Sequence, residues 1–181
     1  MVVDSMEQLQ TSSNYDLTNN FMLDMFDSMI KKLPSGSLWV EVGSWYGASI
    51  KYVMEELELA GKTFDVHVVD HFKDNDGRQL DDFLWNVGKY KDQITVHHSD
   101  SAAAAELFDD NSIDFCYLDA DHKYHGIKRD INAWYPKVKW EGVLAGDDYT
   151  LDYPGVVEAV NEFARDNNKS TYVHGSNWEL F

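Results

Sequence analysis

The chain has 181 residues, enough for a single domain that buries about 70% of the surface its unfolded form would expose. It carries 32 acidic against 15 basic residues, a net charge of −17. That balance excludes the basic surface a nonspecific nucleic-acid binder needs and disfavours anionic membranes, so neither nucleic acid nor membrane is expected as a partner. One cysteine, Cys116, rules out an internal disulfide, and no apolar run reaches the ~20 residues of a membrane span. The first 15 residues lack the basic start and apolar core of a signal peptide, and a cytoplasmic setting is the expectation.

Met1 to Asn14 is polar. Tyr15 to Lys32 carries Leu17, Phe21, Met22, Met25, Phe26, Met29 and Ile30 at helical spacing and ends in two lysines that suit the helix C-terminus. This stripe predicts a packed helix; residues 1–32 could also act as a lid, and the apolar side chains are compatible with a homodimer. Pro34-Ser35-Gly36 ends the helix.

Leu38 to Val42 reads as a buried strand. It turns through Gly43-Ser44-Trp45-Tyr46-Gly47 into a helix that begins near Ala48 and ends at Gly61-Lys62. Strand, glycine turn and helix start form a ligand cradle, because glycine lets backbone approach a ligand closely. Glu41 stands at the end of the strand. The β-rich run Thr63 to Asp70 gives a second strand ending in an acid, followed by a turn at Asp74-Asn75-Asp76-Gly77 and a helix over Gln79 to Tyr90. Gln93 to His97 is a third strand, Ser101 to Phe108 a short helix, and Ser112 to Asp119 a fourth strand.

A helix over Tyr124 to Val138 precedes a fifth strand, Gly142 to Asp148. Pro154 to Asp166 is a helix with proline in its first turn, and Ser170–His174 with Asn177–Phe181 form a closing hairpin around Gly175-Ser176. Strands alternating with helices predict an α/β domain with a doubly wound, mostly parallel seven-stranded sheet and an antiparallel C-terminal edge hairpin. In such sheets the ligand lies at the carboxyl ends of the strands, where Glu41, Asp70, Asp119, Asp147 and Asp148 all fall.

Those acids select the ligand. A dinucleotide cradle needs Gly-x-Gly-x-x-Gly, but Trp45 occupies the second glycine position and Glu41 would repel a pyrophosphate. A cationic ligand fits better. Glu41-x-Gly43-x-x-x-Gly47 resembles the first motif of class I S-adenosylmethionine-dependent methyltransferases, whose fold is Rossmann-like. Asp70, 29 residues after Glu41, matches the acid that holds the ribose in that family, and His98-Ser99-Asp100-Ser101 resembles its adenine-contacting segment. The run Gly43 to Ser49 is similar to small O-methyltransferases of the catechol and macrocin type. The resemblance covers roughly Lys32 to Arg165. It implies S-adenosylmethionine bound by Glu41, Gly43, Ser44, Trp45, Gly47, Ser49, Asp70, Asp100, Ser101 and Asp119, with the Trp45 ring beside the methionine arm.

At the reacting end, Asp119, Asp121 and His122 would face Asp147 and Asp148 if the fourth and fifth strands are neighbours. Two carboxylates ~4 Å apart repel by about 4 kcal/mol at an effective dielectric of 20, so a proton, a base or a metal must offset them. Hard oxygen donors suit Mg²⁺ or another divalent cation. By the resemblance, Asp119, Asp147 and Asp148 are the metal ligands and the acceptor is a small hydroxylated molecule. His122 is the favoured base, since imidazole titrates near neutrality, and Asp121 is the other candidate. Tyr46, Trp85, Tyr124, Tyr149 and Tyr153 could line the acceptor pocket or belong to the core. The competing reading is a non-catalytic S-adenosylmethionine-binding module of the same fold.

Overall fold

In a computed structural model, residues 20–73 and 77–181 are described. Met1 to Asn14, the start of the first predicted helix and the turn residues Asp74 to Asp76 lie outside them. The elements, in chain order, are α1 (Asn20–Lys32), β1 (Leu38–Val42), α2 (Ala48–Ala60), β2 (Asp65–Asp70), α3 (Gln79–Val87), β3 (Ile94–His98), α4 (Ser101–Ala105), β4 (Ile113–Leu118), α5 (Tyr124–Trp134), β5 (Val138–Gly146), α6 (Pro154–Asp166), β6 (Thr171–His174) and β7 (Asn177–Leu180). Short 3₁₀ turns follow α3 and α5.

The seven strands form one sheet in the order β3-β2-β1-β4-β5-β7-β6. Pairing is parallel from β3 through β5 and antiparallel for β5–β7 and β7–β6. The order reverses between β1 and β4, the topological switch point where α/β sheets bind ligands. Each face has its own core. Trp39, Val66, Val68, Phe115 and Val143 pack beneath α1, α2 and α3. Val40, Val69, Cys116 and Leu144 alternate with them and pack beneath α4, α5 and α6. Such period-two alternation in buried strands requires helices on both faces.

Three predicted boundaries differ, each for a local reason. The helix expected to run to Val138 stops at Trp134 and tightens into a 3₁₀ turn over Tyr135–Lys137, because Pro136 has no N–H to continue the α-helical ladder. The helix expected to reach Tyr90 stops at Gly88, whose φ is +55°. The fifth strand starts at Val138 rather than Gly142, since the register of β4 against β5 shifts between Ile113 and Phe115. Gly142 lies against that irregularity, and a Cβ there would come within 2.8 Å of the Ile113 carbonyl oxygen.

Helix α1 does not leave its apolar stripe outside. Met22, Met25, Phe26, Met29 and Ile30 are buried in the chain's own first core, so the stripe that suggested a dimer is used within the chain. Lys62 fixes the end of α1: its Nζ donates to the carbonyls of Ile30, Lys31 and Leu33 at 2.6–3.0 Å. A cation on helix-terminal carbonyls satisfies acceptors that the helix leaves open. No described helix is long and apolar enough to cross a membrane.

Candidate active site

The cradle begins with Gly43. Its φ is +91°, and a Cβ there would come within 2.1 Å of the Asp119 carbonyl oxygen, so only glycine lets β1 turn this close to the end of β4. Gly47 caps α2 at φ +79°, with the Phe83 ring 2.7 Å from where a Cβ would stand.

Between them, Trp45 adopts φ +49°, and beyond β2 Phe72 adopts φ +44°. Left-handed backbone is costly for such bulky residues and persists only when its surroundings hold it. One side chain holds both: Asp70 accepts the Trp45 N–H on Oδ2 at 2.9 Å and the Phe72 N–H on Oδ1 at 2.7 Å. The buried Asp70 thus clamps the glycine turn to the end of β2. The sequence gives no sign of this clamp beyond the acid itself. The Trp45 ring is half exposed and tilts against Tyr46.

Glu41 is buried at the floor. Its Oε1 accepts the Ser49 hydroxyl at 2.5 Å, while Oε2 and the Ser44 hydroxyl are buried without a hydrogen-bond partner. Burial pushes the Glu41 carboxyl up to about 8; the Ser49 bond pulls it down, and Asp119 and Asp70 add to the rise. A small cavity of about 60 Å³ is lined by Met22, Glu41, Gly43, Ser44, Trp45, Tyr46, Ala48, Ser49 and Asp119. Unpartnered buried polar groups of this kind call for a polar ligand, and the acid calls for a cationic one. The donor set therefore fits the methionine end of S-adenosylmethionine.

The other two cofactor candidates are engaged elsewhere. Asp100 caps α4 through the Ala103 N–H at 3.2 Å and pairs with Arg129 at 3.0 Å. The Ser101 hydroxyl accepts the Trp134 indole N–H at 3.0 Å. These bonds tie the β3–α4 corner to α5.

At the ends of β4 and β5, which are neighbours, one carboxylate oxygen each from Asp119 and Asp148 and one ring nitrogen of His122 lie within 4.8 Å of one another. The His122 Nε2 is 3.2 Å from Asp148 Oδ2 and 3.7 Å from Asp119 Oδ1. The nearby Asp119 carboxylate raises the imidazole pKa, burial opposes, and Asp148 adds to the rise. The Asp119 and Asp148 carboxyls are themselves pushed up, chiefly by burial, with His122 pulling both down. Asp148 holds left-handed backbone at φ +64°. Two carboxylates and an imidazole at this spacing can hold a divalent cation.

Two predicted residues stand apart from that trio. Asp147 turns to the hairpin, where its Oδ1 accepts the Ser176 hydroxyl at 2.5 Å and the Asp148 N–H at 2.8 Å. Asp121 Oδ1 accepts the Lys123 N–H at 2.8 Å, and its carboxylate lies over Gly126, where a Cβ would come within 2.2 Å. Of the aromatic candidates, Tyr153 meets His122 edge-on at 4.9 Å between centroids. Tyr149 bonds to Asn161 and Tyr124 to Glu162, while Trp85 is exposed on α3. Cys116 is buried mid-strand, with its thiol pushed up by burial.

Residues 40–149 match the family model described as a methyltransferase domain. An uncharacterized protein of Acanthamoeba polyphaga mimivirus is 27% identical over 139 residues, covering 74% of this chain; the chain spans 62% of that relative's length. The fold is similar to the O-methyltransferase NovP, with a TM-score of 0.69 at 18% identity over 88% of this chain and 76% of that one. A Podospora anserina methyltransferase solved with bound S-adenosylhomocysteine superposes with a TM-score of 0.69 at 12% identity, over 98% and 86% of the two chains. A TDP-rhamnose 3′-O-methyltransferase of calicheamicin biosynthesis gives a TM-score of 0.63 at 12% identity, over 97% and 78%.

Proposed function

The chain belongs to the methyltransferase-domain family, and from that premise we propose that it transfers a methyl group from S-adenosylmethionine to a hydroxyl of a small acceptor, assisted by a divalent cation. The observation that carries this reading is the pair of sites at the switch point. A buried acid with an unpartnered oxygen lies beneath the glycine turn, and an Asp119–His122–Asp148 trio lies at the adjoining strand ends.

S-adenosylmethionine supplies an activated methyl on a cationic sulfur, and a divalent cation, when bound, lowers the pKa of a nearby hydroxyl. The chain's own residues orient and move the proton. Glu41 and Ser44 offer acceptors to the cationic methionine arm. Asp70 keeps the turn closed around it. Gly43 brings the cofactor turn against the Asp119 backbone, so the cofactor and acceptor ends share one wall. His122 takes the acceptor's proton, and Asp119 and Asp148 on either side stabilise the resulting imidazolium. Tyr153 supports the face of that imidazole. The cation would be held by Asp119 and Asp148, with Asp147 joining by exchanging its bond to Ser176.

Radiolabelled methyl transfer to a panel of phenols, catechols and sugars, with and without Mg²⁺, tests the reading. Mg²⁺ should raise activity, EDTA should remove it, and Asp148→Asn should abolish the Mg²⁺ response. The same substitution should raise the melting temperature in EDTA, because it removes one of the crowded carboxylates. Activity indifferent to chelator and to Asp148→Asn would eliminate the metal. Tight cofactor binding without turnover on any acceptor would favour the binding module.

A further inference from the structure

Among the residues around the Glu41 cavity, Met22 alone comes from outside the strand ends, the glycine turn and the first turn of α2. It belongs to the first turn of α1. That helix is fixed at both ends: Lys62 holds its C-terminal carbonyls, and Phe21, beside Met22, packs on the β6–β7 turn. The Phe21 ring lies 4.7 Å from the His174 ring and covers Gly175, where a Cβ would approach it within 2.1 Å. Tyr52 of α2 adds a bond from its hydroxyl to Asp27 at 2.6 Å. The backbone behind Met22 is therefore held by three separate contacts, and its side chain, buried in the first core, also lines the cavity.

We infer that Met22 forms an apolar wall of the seat for the cofactor's methionine arm, so that α1 is a specificity element of the cofactor site rather than a lid over it. The inference rests on the proposed binding of S-adenosylmethionine. Three observations join to carry it. The Glu41 Oε2 and Ser44 Oγ atoms, buried and without partners, mark the polar side of the cavity. Met22 adds an apolar side chain from α1 to the same cavity lining. The cavity is small, about 60 Å³. Side-chain bulk added at position 22 therefore takes the space a methionine arm would use. On the proposed reading the adenosine half lies toward Asp70 at the end of β2, which is not among the residues lining the Met22 cavity.

The test compares two ligands that differ only in that arm. S-adenosylhomocysteine and adenosine are titrated calorimetrically into wild type, Met22→Leu and Met22→Trp. Met22→Trp should weaken S-adenosylhomocysteine at least tenfold and leave adenosine within twofold, while Met22→Leu stays near wild type for both. Retained adenosine binding reports that the pocket is folded. Should Met22→Trp prove insoluble, Met22→Phe is read in the same way, with a three- to tenfold selective loss expected. Unchanged S-adenosylhomocysteine binding, or equal loss of both ligands in a folded variant, overturns the assignment of Met22 alone. Wild type that binds neither ligand overturns the cofactor reading and this inference with it.

Discussion

The two ends of the cleft, proposed to seat the cofactor and the acceptor, are built by opposite means. At the ends of β1 and β2, backbone does the work. Gly43 and Gly47 allow close approach, Asp70 spends both carboxylate oxygens on main-chain N–H groups, and Glu41 lies buried with one oxygen unpartnered. At the ends of β4 and β5, side chains do the work. Asp119, Asp148 and His122 are partly open to water and balance one another by charge. The cofactor is the constant reactant, and a preformed seat avoids ordering costs at each turnover. In the proposed reaction the acceptor end must change charge as a proton moves, and groups with water within reach do so at lower cost. The comparison predicts that substitutions at the first end cost folding and binding, while those at the second cost turnover.

The largest effect should come from Gly43→Ala. Its Cβ would stand 2.1 Å from the Asp119 carbonyl oxygen, and backbone on both sides cannot give. Gly36→Ala is the control: its φ is +87°, close to the +91° of Gly43, yet nothing lies within 4 Å of its Cβ. The control should cost roughly 1 kcal/mol, the conformational penalty alone. Gly43→Ala should cost several kcal/mol or leave no folded protein. Urea denaturation of both checks this. Equal losses would mean that the close packing of the two ends contributes nothing.

Glu41→Gln separates burial from binding. The carboxyl is raised to about 8 in the folded chain, above its unfolded value near 4.5. Its contribution to stability is therefore fully present below about pH 4.5 and is lost as pH rises through about 8. In the cofactor-free protein, stability should fall across that window by an amount on the order of a few kcal/mol. Glu41→Gln, which cannot ionise, should flatten that part of the profile. Cofactor affinity should run the other way. An ionised Glu41 attracts the cationic arm, so wild type should bind S-adenosylmethionine more tightly as pH rises toward 8. The Gln variant should bind ten- to hundredfold more weakly at pH 8.5 and differ less at pH 6. Calorimetry and thermal melts at the two pH values read both trends.

The two ends also differ in how much the sequence reveals. Leu38 to Val42, Asp70 and the glycines are local signals, because period-two apolar runs and strand-terminal acids are set by neighbours in the chain. They mark the strand ends and the turn that meet around the Glu41 cavity, whereas Asp100 and Ser101, expected at the same site, bond to the first turn of α4 and to α5. The acceptor end depends on distant partners. That Asp147 would turn to Ser176, 29 residues later, follows from the antiparallel docking of β7 on β5, and nothing near Asp147 announces it. The entry of His122 beside Asp148 follows from the β4–β5 register. Left-handed backbone at Trp45 and Phe72 is likewise invisible in residue types that usually avoid it. Met22 reads in the sequence as one more residue of an apolar stripe, and only the docking of α1 on the β6–β7 turn brings it to the cavity.

The smallest effect sharpens the division within the acceptor end itself. Asp121 and His122 are adjacent and both could serve as the base by residue type. Their surroundings separate them. The Asp121 carboxylate accepts the Lys123 N–H and lies over Gly126, as a residue does that starts a helix. His122 faces Asp119 and Asp148 across 3.7 and 3.2 Å. Asn keeps an oxygen that can accept the Lys123 N–H, so Asp121→Asn should preserve the start of α5 and alter methyl-transfer rate by no more than about threefold. His122→Gln keeps a polar side chain of similar reach but cannot take up a proton near neutrality, and should lower the rate on the order of a hundredfold, within the range general bases contribute. Rates of S-adenosylhomocysteine release at saturating cofactor decide between them. A large loss in Asp121→Asn with near-normal rate in His122→Gln would move the proton to Asp121, and would require α5 to unwind at its first turn to free that carboxylate.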